Sequence, residues 1–332
     1  MLLGITLGDS SGIGPEIILK SFKQDEIRHP VVVYGDLAVL DYYNQLLRLR
    51  VPVHSIQPGD TPAADALNVL DHGLMRAGDV TPGKLNAKSG HAAREYVISA
   101  ARDALAGKIA AMVTLPMNKE ATQLTDRSFV GHTELIGDIC GVKDVTIMLA
   151  SNDLIVTHVS THVSLQTAID RAKKDRICTI IRLTNDALQR LMPNPRIAVA
   201  GLNPHAGENG LFGDEEINEI RPAVEWAQSQ GMPVDGPWPP DTLFHMAVHK
   251  KKYDAIVCMY HDQGHVPLKL LDFEGGVNVA LGLPIIRTSV DHGTAFDIAG
   301  TGVASTKSLL KALDFAARLA LNRNAAKPIA ES

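Results

Sequence analysis

Cysteine is scarce. Cys140, Cys178 and Cys258 are the three in a chain of 332 residues, far apart and never in a C-x-x-C pair. An odd, scattered set builds neither a disulfide framework nor a thiolate zinc site, and it fits a reducing, cytoplasmic setting. Long Lys/Arg blocks are missing too, against a formal net charge of −5. Nucleic acid and anionic membrane surfaces are therefore poor partners, although a local basic cluster still outweighs net charge at short range. No apolar run reaches membrane-spanning length. Val145–Ala150 is strand-length, and the opening MLLGITLG lacks a basic flank and stops at Asp9, so neither a transmembrane helix nor a signal peptide is expected. G-x-G-x-x-G is also absent, which leaves a Rossmann dinucleotide turn without its fingerprint.

The rest is ordinary globular material, with 45% hydrophobic and 21% charged residues, and the length suits two lobes. Short aliphatic runs alternate with helical patterns. Strands are expected at Leu2–Leu7, Pro30–Tyr34, Ala110–Leu115, Val145–Ala150, Leu154–His158, Ile197–Gly201, Ala255–Met259 and Val277–Leu281. Helices are expected at Pro15–Phe22, Leu37–Leu47, Ala92–Leu105, Leu165–Leu191, Glu215–Ser229 and Lys307–Leu321. Pro15 suits a first helical position and Glu16 a first turn. This alternation predicts an α/β fold with a largely parallel sheet. Thr81–Gly90 and Met232–Asp241 read as loops, not flexible spacers, as two lobes exchanging chain segments would produce. In such folds ligands sit beyond the carboxyl ends of strands.

Five constellations stand out. Gly8-Asp9-Ser10-Ser11-Gly12-Ile13-Gly14-Pro15-Glu16 is a glycine-rich strand-to-helix turn, and on local physics a tight connection is its plainest reading. His162, His205 and His261 each lie in polar sequence just after an expected strand. Three imidazoles with one open position form a catalytic metal arrangement, not a closed structural one. His158 and His265 compete as ligands, His158 being the better core residue. Asp241 and Asp262 could ligate, orient a histidine or relay a proton, and Asp241 also reads as a helix N-cap. Lys269, Asn278 and Arg287 supply charge and polarity suited to phosphate or carboxylate. The run Asp291–Gly302 offers small residues for close approach by a flat ligand, or a plain surface loop.

With these motifs assembled, the chain resembles the 4-hydroxythreonine-4-phosphate dehydrogenase family of vitamin B6 synthesis and its paralogues. The likeness is carried by Gly8–Ile17, Gly131-His132-Thr133-Glu134, Leu202–Glu216, Met259–Lys269 and Gly282–Gly300. The Gly12–Glu16 and His292–Gly302 runs are also similar to isopropylmalate and isocitrate dehydrogenases. The resemblance implies two α/β/α lobes with a cleft between them, not a Rossmann fold. On that basis the lobes are 1–130 with 282–332, and 131–281. It implies a homodimer with a shared active site, NAD or NADP, and one divalent ion (Zn, Co, Mg or Mn). It places metal ligands at His162, His205 and His261, and substrate contacts at His132, Thr133, Lys269, Asn278 and Arg287. Lys269, Asp241 and Asp262 become candidate proton carriers, while His292, Gly293, Thr294, Ala295 and Asp297 would lie along the nucleotide. The implied reaction oxidises a hydroxyl to a β-keto acid and then releases carbon dioxide.

Some positions depart from the family pattern. Asp9-Ser10-Ser11 replaces Asp-Pro-Ala, and Met117-Asn118-Lys119 replaces a Val-His-Lys version. His265-Val266-Pro267 resembles paralogues that oxidise D-threonate or D-erythronate 4-phosphate and release dihydroxyacetone phosphate. A further relative oxidises an aromatic cis-dihydrodiol acid. Outside the family, a zinc hydrolase and a non-catalytic binding protein are the alternatives; dependence on added nicotinamide separates the first from the dehydrogenase.

Overall fold

Strands form where Val, Ile and Leu concentrate in short runs, and helices where apolar residues recur at helical spacing. In the computed structural model, which describes residues 1–322 except 58 and 274, the strands are β1 (Leu3–Thr6), β2 (Val31–Gly35), β3 (Val53–Ile56), β4 (Leu67–Asp71), β5 (Ala111–Thr114), β6 (Thr146–Ala150), β7 (Ile155–His158), β8 (Ile197–Ala200), β9 (Val234–Trp238), β10 (Ala255–Cys258), β11 (Val277–Leu281) and β12 (Arg287–Val290). The chain divides into a first unit, Met1–Val145 with Leu283–Ala320, and a second built on Thr146–Gly282. Residues 131–145, grouped on sequence with the second lobe, cluster with the first unit, where the helix His132–Cys140 packs on the helix Ala87–Leu105. The expected tail of the first lobe, 323–332, lies outside the described residues.

In the first unit the strand order is β3-β4-β2-β1-β5-β12, and neighbouring strands run parallel. Strands β1, β2 and β5 are buried throughout, which is why they read as continuous apolar runs and not as alternating ones. The helix Gly14–Lys23 starts with Pro at its beginning and Glu16 in its first turn. Its Lys20 Nζ donates to the carbonyls of Gly302 and Ala304, each at 2.6 Å, and Glu16 Oε1 accepts the Ala304 amide at 2.8 Å. The helix thus anchors residues 302–304.

In the second unit the order is β11-β6-β7-β10-β8-β9. Strand β6 runs antiparallel to β11 and β7, and the rest are parallel. Alternate residues of β8 and β10 feed two cores. Ile197, Val199, Ala255 and Val257 join one with Ile177, Ile181 and Val224, while Ala198, Ala200, Ile256 and Cys258 join the other with Leu243 and Leu268. Helices therefore cover both faces of this sheet, as the period-2 geometry of a strand requires.

Two expected helices differ most from the sequence reading. Ala87–Leu105 begins before Ala92, because the Asn86 side chain accepts the amides of Lys88 and Ser89. The expected Leu165–Leu191 helix is two, Leu165–Arg171 and Lys174–Gln189. Among the described residues no helix is long and apolar enough to cross a membrane.

Candidate active site

In the first unit, β1 delivers the chain into the Gly8–Gly14 turn, and the turn meets the segment 292–298. The Ile13 amide donates to Thr294 O at 3.1 Å. A Cβ on Gly12 would stand 2.9 Å from the same oxygen, so only glycine admits this approach. The two glycine-rich motifs read separately on sequence are therefore one structural feature. Asp9 lies buried beneath, accepting the Ser11 amide at 2.8 Å and the Ser89 hydroxyl. Burial raises its carboxyl pKa. Ala295 has φ 43°, and its carbonyl accepts the Ile298 amide at 3.1 Å. Gly293 and Asp297 are exposed, and His292 Nδ1 lies 3.0 Å from Gly293 O.

Arg287 sits on β12, beside β5, and is 4% exposed. Its Nε and Nη2 both donate to Thr114 Oγ1, at 3.1 and 2.7 Å. Burial pulls the guanidinium pKa down to about 10, and the carboxylate of Glu134 offsets only part of that. His132 opens the helix His132–Cys140, whose N-cap Gly131 supplies no side-chain cap. Burial, then the charges of Arg287 and Lys119, push the His132 imidazole down to about 3. Its Nε2 is shielded from solvent and has no hydrogen-bond partner. Thr133 follows in the same first turn. A helix N-terminus and two cations beside a buried imidazole are the kind of groups from which an anion site can be built. Neither Lys119 nor Thr114 is identified as an anion contact on sequence alone, where their segment stands out only as a departure from the family pattern. The signal for both is their place at and just beyond the end of β5.

In the second unit His261 is the first residue of the helix His261–Leu271, directly after β10. Its Nδ1 lies 2.7 Å from Asp262 Oδ1. Its ring stands 5.6 Å from that of His162, centroid to centroid, and stacks on His265 at 3.6 Å with an 11° interplanar angle. His265 Nδ1 is 3.1 Å from His158 Nε2 and 3.1 Å from His261 O. Burial first, then neighbouring histidines, hold His158 down to about 3 and His265 to about 4. These two rings are thus buried supports behind His261. His205 is exposed, on a turn whose residues His205, Ala206, Gly207, Glu208 and Asn209 all have positive φ, from 44° to 78°. Its ring lies 6.2 Å from Phe212.

The structure brings His162 and His261 together. Among the described residues, no three His, Cys, Asp or Glu side chains stand close enough to hold an ion within one chain. The donors present still suit a borderline metal. Two imidazoles ligating one zinc at about 2.1 Å have centroids about 5 Å apart, close to the 5.6 Å of His162 and His261. Asp241 lies in the first turn of the helix Pro240–Val248, exposed, and Pro239 takes the cap position expected for Asp241 on sequence. Lys269 lies over the Phe273 ring at 5.7 Å. Asn278, on β11, has a buried Oδ1 without a partner.

A family model described as pyridoxal phosphate biosynthetic protein PdxA matches residues 26–316. The chain is 43% identical over 327 residues to a D-threonate 4-phosphate dehydrogenase of Pectobacterium atrosepticum, covering 96% of this chain and 99% of the relative. It is 45% identical over 331 residues to a 4-hydroxythreonine-4-phosphate dehydrogenase of Desulforapulum autotrophicum, covering 95% and 94%. A solved 4-hydroxythreonine-4-phosphate dehydrogenase from Klebsiella pneumoniae superposes with a TM-score of 0.87 at 44% identity, covering 96% and 99%.

Proposed function

The chain belongs to the PdxA family of pyridoxal phosphate biosynthetic proteins, and from that premise we propose that it oxidises and decarboxylates a phosphorylated hydroxy acid with NAD or NADP and one divalent ion. Arg287 carries the proposal. A buried guanidinium held by a single hydroxyl is undercompensated, and a phosphate is the dianion that satisfies its fork. The substrate is 4-hydroxythreonine 4-phosphate, or D-threonate or D-erythronate 4-phosphate. The second reading draws on His265 and on the D-threonate names of several relatives.

His132, Thr133, Lys119 and Arg287 hold the phosphate. With its imidazole neutral, His132 offers a hydrogen bond and no charge. His162, His205 and His261 are the metal ligands. Asp262 fixes the His261 ring through Nδ1, leaving Nε2 for the ion. A bound divalent ion would supply Lewis-acid stabilisation of negative charge on substrate oxygens, and a bound nicotinamide would accept the hydride. Lys269, Asp241 and Asp262 are the groups available to take the hydroxyl proton and return one to carbon. Asn278 Oδ1 accepts a substrate hydroxyl. The segment from His292 to Asp297 lies along the nucleotide.

The ion is shared with a second copy, an arrangement that does not require the three histidines to converge within one chain. Support comes from the helix that carries His261 and the turn after it, where Val266, Leu270 and Phe273 are 59, 86 and 76% exposed. Free thiols at Cys140, Cys178 and Cys258 support a reducing, cytoplasmic compartment.

The test compares kcat/KM for D-threonate 4-phosphate or 4-hydroxythreonine 4-phosphate, whichever is turned over, with its dephosphorylated form. Two or more charged hydrogen bonds are worth about 100-fold or more. Equal kcat/KM values would remove the phosphate from the proposal.

A further inference from the structure

Strands β8 and β10 pair in register through Val199 and Val257, then part. Beyond β8 the chain goes to His205, and beyond β10 it goes to His261. At the point of parting a side chain takes the place of the next ladder step. Gln263, 7% exposed, donates from Nε2 to Gly201 O at 2.7 Å and accepts the Met259 amide on Oε1 at 2.7 Å. Its amide works as a bridging peptide unit between the two loops.

A second group holds the other side of the same segment. Glu216, 1% exposed, accepts the amides of Leu202 and Asn203, each at 2.7 Å, and the Asn203 side-chain amide at 2.9 Å. Residues 201–203 are clamped from both sides just before the left-handed turn. That turn needs holding. His205, Ala206, Glu208 and Asn209 are non-glycine residues in a conformation that costs roughly 1–2 kcal/mol each, and such backbone persists only where its surroundings over-determine it. The fit leaves no slack, since a Cβ on Gly201 would lie 2.9 Å from Ala206 Cα and 3.1 Å from Glu216 Oε1.

We propose that Gln263, with Glu216 behind it, is a positioning residue that holds the roots of the His205 and His261 loops, each of which presents its ligand to an ion shared with a second copy, and so sets metal affinity. The inference rests on the assignment of those histidines as ligands. Neither residue ligates. Gln263 tethers both histidine-bearing loops at their roots, and Glu216 locks the path to His205.

The experiment is Zn²⁺ affinity by chelator competition on full-length, chelator-stripped protein, for wild type, Gln263→Met, Gln263→Glu and a control, Gln228→Met. Gln228 donates to Val234 O at 2.9 Å in the same unit, away from both loops. Gln263→Met removes both bonds, and Gln263→Glu keeps the acceptor but loses the donor to Gly201. Each is expected to weaken Zn²⁺ binding about 10- to 100-fold with the oligomeric state unchanged, while the lost buried hydrogen bonds lower the metal-free Tm by a few degrees. Gln228→Met is expected to lower Tm and leave the Zn²⁺ Kd unchanged. Should Gln263→Met not fold, Gln263→Glu carries the comparison. An unchanged Kd in a folded Gln263 variant overturns the proposal, as does an equal loss in Gln228→Met. A wild-type protein that binds neither Zn²⁺ nor Co²⁺ overturns the metal assignment itself, and this inference with it.

Discussion

Replacing Arg287 by methionine is predicted to stabilise the ligand-free protein while abolishing its response to phosphate. The guanidinium is 4% exposed, and burial pulls its pKa from the ordinary arginine range down to about 10. A tenfold loss of proton affinity corresponds to about 1.4 kcal/mol, so holding the charged form in place costs about 3 kcal/mol. Methionine keeps most of the side-chain volume without the charge. Against this gain, Thr114, 1% exposed, loses the partner that holds its hydroxyl, at about 1 kcal/mol. The charge effect is the larger, and the net expectation is a gain of about 2 kcal/mol, a few degrees in Tm. The assay is thermal unfolding with and without inorganic phosphate. Wild type should start lower and rise with phosphate by mass action. The variant should start higher and stay flat. A lower Tm for the ligand-free variant would refute the idea that this charge is stored strain awaiting an anion.

In the ligand-free protein, NMR titration of His132 should show an imidazole that stays neutral from pH 8 to 5. Its pKa is lowered to about 3, so the unfolded chain binds the proton first, and this residue's contribution to stability falls as pH drops below about 6.5. A midpoint near 6.5 would contradict its burial. Gly90→Ala would place a Cβ 2.3 Å from the Ala121 carbonyl carbon and 2.5 Å from the Thr122 amide; a loss of about 3 kcal/mol in chemical denaturation is expected, and a loss under 0.5 kcal/mol would show that the helix Lys119–Gln123 yields freely. Leu270→Glu should shift sedimentation toward monomer and weaken Zn²⁺ binding together, and an unchanged dimer would move the shared surface elsewhere.

The parallel core is legible in the sequence because β1, β2, β5 and β10 are buried on both faces and leave plain apolar runs. Strands β3 and β9 escape notice because they lie at sheet edges, where burial is partial. His54 and Asp235 break the runs there. The helix His261–Leu271 is hidden by Gly264 and Pro267, residues that normally argue against one. Gly264 is required because a Cβ would lie 2.5 Å from His158 Nε2. Histidines after strands can be found from position alone. His158, read as core from its place inside a strand run, is buried, whereas the role of His265 as a support is not legible, since sequence spacing says nothing of a ring stacked across a turn. Gln263 and Glu216 give no signal at all, because their partners are backbone groups that every sequence possesses.

The most direct test is absorbance at about 340 nm, the band of reduced nicotinamide. Purified protein would be given Zn²⁺ or Mn²⁺, NAD or NADP, and 4-hydroxythreonine 4-phosphate or D-threonate 4-phosphate. Reduction with release of carbon dioxide is predicted for at least one of the two phosphorylated acids, and it should vanish with a chelator. Absorbance that stays flat with both, while the same protein binds phosphate and metal, would contradict the account.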